Sequence, residues 1–326
     1  MRRRTFIAGL GGAVTWPLAA KAQRRALPVI GILSTGSEQQ RDSSFLAFLE
    51  GLKETGFVEG RNVAIEYAYA RNDYDRLPEL ATDLVRRRAT VLYTGVNTAA
   101  AIAGKAATST IPIVFGVGDD PVQLGLVASF NSPGGNLTGA SLLLTETAAK
   151  RVEMLHEAAP KAGRAAALFD PRNPAAEAER RELMKAARIL GLEFRAFEAT
   201  NENEIDSTLE AVAQMPGAML VIEGDPVFTN RLNQLAGLTL RHAIPAIYPI
   251  REFPQAGGLM SHGSSVQEAA RIAGTYTGRI LKGEKPADLP VQQVTRVELV
   301  INMASAKAIG LTFPLSLLGR ADEVIE

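Results

Sequence analysis

The chain has 326 residues, 35 basic and 35 acidic side chains, and no cysteine. This length is sufficient for two ordinary domains, and the lack of cysteine excludes disulfides and cysteine metal sites. Because the charges balance, the chain has no electrostatic footprint for nucleic acid, and no nucleic-acid partner is expected.

The N-terminus has the composition of a secretory signal. Three arginines (Arg2 to Arg4) precede an apolar stretch from Phe6 to Ala20, which ends in the small-x-small triplet Ala20-Lys21-Ala22. The stretch is much shorter than the roughly 20 residues of a membrane-spanning helix. We predict a signal peptide over residues 1–22, for either the general or the twin-arginine export route. The mature protein would be periplasmic, would carry a formal charge of −4 instead of 0, and would not be a lipoprotein.

After the leader, short β-branched runs alternate with longer helical patterns. Strands are predicted at 28–33, 62–67, 90–94 and 111–117, and helices at 43–55, 77–88 and 98–107. Strands separated by helices of this length predict a parallel sheet that is covered on both faces.

The same pattern restarts at Arg164. Strands are predicted at 164–169, 192–197, 218–223 and 244–247, and helices at 174–190, 203–213, 227–242 and 266–282. The segment 136–139 is predicted to join the halves, and 257–263 to cross back. The pattern therefore predicts two similar α/β lobes joined by more than one strand, which is a hinge architecture. A single-domain or dehydrogenase-like arrangement is the alternative.

Polar side chains follow the predicted strands, at the edge where open parallel sheets bind their ligands. Asn97 or Thr98 can cap the helix that follows, and the free N–H groups of its first turn would suit a carboxylate, with a plain cap that binds no ligand as the alternative. Asp119 would receive an ammonium group. Asp120 and Asp225 each precede a proline, so a plain helix cap without a ligand is the alternative for them.

The sequence gives little support for an enzymatic function. The chain has three histidines, His156, His242 and His262, and it lacks the HExxH, GxSxG and Walker A motifs. Gly116-x-Gly118 lacks the third glycine of a dinucleotide fingerprint. We expect no catalytic residue, no metal and no cofactor. Because the single tryptophan, Trp16, falls in the leader, a sugar platform is disfavoured, and an amino acid or organic carboxylate fits best.

Five sequence blocks occur in an order that resembles a known family. They are TGVNTAAA (94–101), GDDPVQLGLVASFNSPGGNLTG (118–139), FDPRNPAA (169–176), GGLMSHGSS (257–265) and the C-terminal block 279–326. Together they resemble the substrate-binding proteins of ABC transporters, a family whose named members include tryptophan- and tyrosine-type binding proteins. The likeness extends from Leu27 to Glu326.

The resemblance implies a type I periplasmic-binding-protein fold with three interlobe crossings. The first lobe would hold residues 27–138 and 262–290, and the second 139–261 and 291–326. It also implies aromatic or branched amino acids as ligands and an ABC permease in the inner membrane as partner. The residues that match the family's cleft turns are Ser34, Asn97, Thr98, Ala99, Asp119, Asn173, Asp225 and Tyr248. His262 stands where many relatives have an aromatic residue, so a tryptophan-sized guest is not implied.

Two other functions fit the same sequence. A ligand-sensing partner of a membrane receptor would use the same fold. An exported α/β enzyme would need a nucleophile and a base converging in the cleft, and the sequence shows no such pair.

Overall fold

The computed structural model describes residues 27–36, 38 and 43–326. The predicted signal peptide, residues 1–22, lies outside the described residues. The described part of the chain forms two α/β lobes, each built around a sheet of mainly parallel strands, which confirms the predicted fold class.

The helices and strands of the described residues follow one another in three stretches. The first stretch contains β1 (Val29–Ser34), α1 (Ser43–Glu54), β2 (Ala64–Tyr69), α2 (Leu77–Arg86), β3 (Val91–Val96), α3 (Thr98–Ala107), β4 (Ile113–Val117) and β5 (Leu137–Ser141). The second contains α4 (Leu144–Ala158), β6 (Arg164–Phe169), α5 (Ala176–Ile189), β7 (Glu193–Glu198), α6 (Glu202–Ala213), β8 (Ala218–Ile222), α7 (Pro226–Thr229), α8 (Leu232–Arg241), β9 (Ala246–Tyr248), α9 (Glu252–Gln255) and β10 (Met260–Ser264). The third contains α10 (Val266–Leu281), β11 (Gln292–Gln293), β12 (Val297–Asn302), α11 (Met303–Ala308), α12 (Leu315–Leu318) and β13 (Glu323–Ile325).

The first sheet has the strand order β2-β1-β3-β4-β5-β11, and every neighbouring pair is parallel. The second has the order β7-β6-β8-β9-β10-β12-β13, and only β10 and β12 are antiparallel. In both sheets the winding direction reverses beside the first strand of the lobe, between β1 and β3 and between β6 and β8. Such switch points open a crevice at the carboxyl ends of the strands, where open α/β sheets bind ligands.

Apolar side chains fill both faces of each sheet, as the near-continuous apolar strands require. In the first lobe, Leu84 of α2 packs with Phe115 on one face, and Phe48 of α1 packs with Ile30 on the other. The second lobe has the same two-sided arrangement. The two cores make each lobe a rigid support for its switch point.

The chain changes sheet three times, after β5, after β10 and after β11. The division of the lobes at residues 138, 261 and 290 stays a prediction, and the strand memberships put the changes of sheet a few residues later in each case. Segments 136–139 and 257–263 were predicted as joints, but β5 and β10 are fully buried strands. Gly139 and Gly263 permit this, because a Cβ there would overlap the backbone of Phe115 and of Pro249.

The helix predicted over 227–242 is two helices. Asp225 caps α7 by accepting a hydrogen bond from the Val227 amide at 2.8 Å, and α7 ends at Thr229, before α8 begins at Leu232. The short α7 leaves the Asp225 to Asn230 turn facing the other lobe.

Two structural absences hold for the described residues. None of their helices combines the length and the apolar character needed to cross a bilayer. Within the same residues, no group of three or more His, Asp or Glu side chains is arranged to hold a metal ion.

Candidate functional site

The candidate site is a cleft between the lobes, lined by the turns that follow the strands at both switch points. Six of the eight predicted site residues line it: Ser34, Asn97, Thr98, Asp119, Asn173 and Asp225. Ala99 packs against the first-lobe core, and Tyr248 is fully buried behind the cleft wall. The Tyr248 hydroxyl donates to the Asp225 backbone carbonyl at 3.2 Å, so Tyr248 supports the turn rather than lining the cleft.

The amino end of α3 points into the cleft from the first lobe. Gly95, the next-to-last residue of β3, adopts a φ of +64°, a left-handed conformation that glycine tolerates, and the register of β3 with β4 shifts there. Asn97 caps the helix by accepting from the Ala100 amide at 2.8 Å. Thr94, which the sequence analysis missed, is fully buried and lines the cleft, and its Oγ1 finds no hydrogen-bond partner among the described residues. This end of the helix is therefore suited to an anionic group.

Asp119 lies beside the same helix end. Its carboxylate accepts hydrogen bonds from the hydroxyls of Thr98 at 3.2 Å and Thr145 at 2.5 Å. Burial raises the pKa of Asp119, and these two hydrogen bonds only partly oppose the shift. A cation in the cleft would stabilise the ionised carboxylate.

Buried acids face the cleft from the second lobe. Glu179 lines it and forms a buried ion pair with Arg151 of α4. Glu223 accepts from the Asp170 amide and from Asn173 Nδ2, both at 2.9 Å. Burial raises the pKa of Glu179 and of Glu223, and each also feels the charge of other nearby carboxylates. Glu179 gave no sequence signal, because an acid on an amphipathic helix is ordinarily exposed.

Asp225 accepts hydrogen bonds from the Tyr74 hydroxyl of the other lobe, at 2.9 and 3.0 Å to its two carboxylate oxygens. Burial is the main cause that raises the pKa of Asp225 to about 7, and the charge of Asp170 adds to it. The structure thus combines the cap predicted from the proline pattern with a contact between the lobes.

Aromatic side chains form one wall of the cleft in the first lobe. Phe45, Tyr67, Tyr69 and Tyr93 all line it. The rings of Tyr67 and Tyr69 stack with centroids 5.7 Å apart, and Phe45 meets Tyr67 edge-on at 5.8 Å. The alternation of Tyr67 and Tyr69 along β2 places both on one face and could have predicted this wall.

His262 does not line the cleft. It lies on β10 with 9% of its surface exposed, and its Nδ1 finds no hydrogen-bond partner within the described residues. Burial, with the positive charge of Arg151, lowers the pKa of His262 to about 4, so the side chain is neutral at ordinary pH.

A family model described as ABC transporter substrate binding protein matches residues 29–325. The chain belongs to this family. The membership confirms the resemblance that the sequence blocks indicated, and it supports a binding protein rather than an enzyme. The matched range includes every element of both lobes.

Similar proteins include a tyrosine-binding protein of Clostridioides difficile, which is 24% identical over 86% of this chain and 81% of the relative. A solved structure of an ABC domain in complex with L-Trp from Streptococcus pneumoniae has a TM-score of 0.81 and 25% identity, covering 92% of this chain and all of that one. A ligand-free, open structure of a substrate binding protein with adhesive properties from Clostridium difficile has a TM-score of 0.63 and 23% identity, covering 92% of this chain and 99% of that one.

Proposed function

We propose that this protein is the periplasmic component of an ABC importer, and that it encloses a free amino acid with a large, preferably aromatic, side chain. The observation that carries the proposal is that one cleft contains both a place suited to an anionic group and a place suited to a cationic group. A helix amino end with the unpartnered Thr94 hydroxyl suits a carboxylate, while the buried Asp119 and Glu179 suit an ammonium group.

The aromatic wall supports the choice of side chain. Rings that stack or meet edge-on favour a further ring in the same space. The relatives that bind tyrosine and tryptophan point to the same class of ligand. The cleft combines this aromatic and apolar surface with polar groups that can fix the orientation of a ligand, as small-molecule pockets do.

A panel of ligands tests the proposal. Calorimetry would compare L-tyrosine, L-tryptophan and L-leucine with analogues of tyrosine that lack one charged group, tyramine without the carboxylate and 3-(4-hydroxyphenyl)propionate without the amine. We expect an intact amino acid to bind and each analogue to bind about 100-fold more weakly or worse, because a buried site group loses its partner. Equal binding of an amino acid and its amine-free analogue would contradict the role of the acids.

Export and delivery to a permease are tested separately. We expect the mature protein in the periplasmic fraction, with an N-terminus that mass spectrometry places after Ala22. Deleting the gene should abolish high-affinity uptake of the labelled amino acid. Normal uptake together with a lost response to the amino acid would instead favour the ligand-sensing alternative, and recovery of a chemically altered ligand would favour an enzyme.

A further inference from the structure

A loop of the first lobe contacts the second lobe directly. Tyr74 donates its hydroxyl to Asp225, as described above. Asn72 accepts hydrogen bonds from Asn230 Nδ2 at 3.0 Å through its side chain and from Arg172 Nη1 at 3.1 Å through its backbone carbonyl. We call these five residues the interlobe latch.

Two of the five latch residues are buried, and Asn72, Arg172 and Asn230 are half-buried. Tyr74 is 7% exposed and Asp225 is 1% exposed. The Arg172 guanidinium is held by both carboxylate oxygens of Asp170, at 2.9 and 2.6 Å, and lies 4.9 Å from the centroid of the Tyr74 ring. Hydrogen bonds between buried groups, at least one of them charged, contribute more than exposed ones.

The backbone is strained in the first-lobe loop that contains Asn72 and Tyr74. Arg71 and Asn72 adopt φ angles of +57° and +62°, a region that asparagine tolerates and arginine rarely adopts. Backbone strain of this kind persists only where other contacts enforce it, and it often accompanies function.

The loop is also tied to the cleft. The Arg71 amide donates to the Gly36 carbonyl at 2.9 Å, and the Asn72 amide donates to the Thr35 carbonyl at 2.7 Å. Thr35 and Gly36 line the cleft, and so do Asp225 and Asn230 of the latch, whereas Asn72 and Tyr74 do not belong to the described residues that line it. The first-lobe half of the latch is therefore tied to the ligand-binding turn without lining the cleft itself.

We propose that the interlobe latch raises the affinity for different ligands by the same factor, because its hydrogen bonds between the lobes stabilise the closed arrangement whichever ligand is bound. In this view Asp225 acts in the latch and not as a ligand contact. The proposal rests on the proposed function in one respect, that a guest is bound in the closed cleft. A ligand's apparent affinity is its intrinsic affinity scaled by the fraction of molecules in the closed form. Weakening the latch lowers that fraction for all ligands alike.

The decisive variant is Tyr74→Phe, which removes the hydroxyl that donates to Asp225 and accepts from Asn97 Nδ2 at 3.3 Å, and which keeps the ring beneath Arg172. We expect it to weaken binding of two ligands of different size by the same factor, about 10- to 100-fold, mainly through faster dissociation. The matched control is Tyr276→Phe, because that hydroxyl donates to the Pro290 carbonyl at 2.7 Å within the first lobe. The control should bind like the wild type.

A second variant addresses the other latch contact. Asn72→Gly removes the side-chain acceptor for Asn230 but permits the left-handed backbone and keeps the carbonyl that Arg172 contacts. We expect a smaller uniform loss, about 3- to 10-fold, as suits one neutral hydrogen bond.

Two outcomes would overturn the latch. One is an unchanged affinity of Tyr74→Phe, and the other is a change in the ratio between the two ligands, which would make Tyr74 a specificity contact. Failure of the proposed function looks different, because the wild type itself would then bind no amino acid.

If the wild type binds no amino acid, the latch can still be tested by measuring the closed population of the ligand-free protein. The chain has no cysteine, so cysteines introduced at the exposed Glu79 and Glu202, one in each lobe, can be labelled selectively for energy transfer. We expect Tyr74→Phe to lower the ligand-free population of the closed form and Tyr276→Phe to leave it unchanged. Equal populations in wild type and Tyr74→Phe would overturn the proposal.

Discussion

The carboxylate of Asp119 lies between two threonine hydroxyls, and burial raises its pKa. Burial disfavours the ionised form of the carboxylate, and an ammonium group placed beside it would stabilise that form. We expect Asp119→Asn to weaken amino-acid binding by about 100-fold, because the isosteric amide keeps the shape and loses the charge. Calorimetry on the variant that shows the wild-type thermal transition measures this.

The neighbouring Asp120 offers a matched control. Its side chain accepts from the Val122 amide at 2.8 Å and does not belong to the described cleft lining, and an asparagine can make the same contact. Asp120→Asn should bind like the wild type. If Asp119→Asn also did so, Asp119 would not be a ligand contact.

Single residues were predictable where the strand ends determine their position. Ser34, Asn97 and Asp119 follow parallel strands, so their place at the cleft follows from topology alone. The contact between Tyr74 and Asp225 joins residues 151 positions apart, and it depends on how one lobe faces the other. Local sequence patterns carry no information about that orientation.

At the scale of elements, α1 and α10 pack unusually closely through glycines. A Cβ on Gly274 of α10 would overlap the carbonyl oxygen of Phe48 in α1. We expect Gly274→Ala to lower the free energy of unfolding by about 1–3 kcal/mol, because the tightly packed helices must move apart. Chemical denaturation of the ligand-free protein measures the change.

Gly237 serves as the control for this substitution. It lies exposed in the middle of α8, and a Cβ there would meet nothing within 4 Å. Gly237→Ala should raise the free energy of unfolding by about 0.5–1 kcal/mol, since alanine favours a helix interior. Equal effects at the two positions would mean that the close helix contact does not limit the packing.

Elements were predictable where the apolar pattern is periodic. Helices with clear apolar periodicity, such as α1 and α10, were predicted within a residue or two. Segments 136–139 and 257–263 were predicted as joints, and they fall mainly in β5 and β10, after which the chain changes sheet. The sequence pattern did not show that these segments are themselves buried strands, whose Gly139 and Gly263 let them lie close to neighbouring backbone.

At the scale of the whole molecule, the contacts across the cleft belong to a closed arrangement. The latch joins the lobes at one place, and a more exposed contact between Ser43 and Glu252, at 3.1 Å, joins them at another. Because a ligand shifts an equilibrium only through its different affinities for the two states, the ligand-free protein should populate an opener form.

Small-angle scattering tests this shift. We expect a saturating ligand to reduce the radius of gyration, because closing the hinge brings the two lobes together. Tyr74→Phe should be at least as extended as the wild type without ligand and should reach the same compact form at saturation, since the variant changes the balance of states but not the closed state itself. The ligand used here must first be shown by calorimetry to bind. If the scattering curves with and without that ligand were identical, the cleft would bind it without hinge closure.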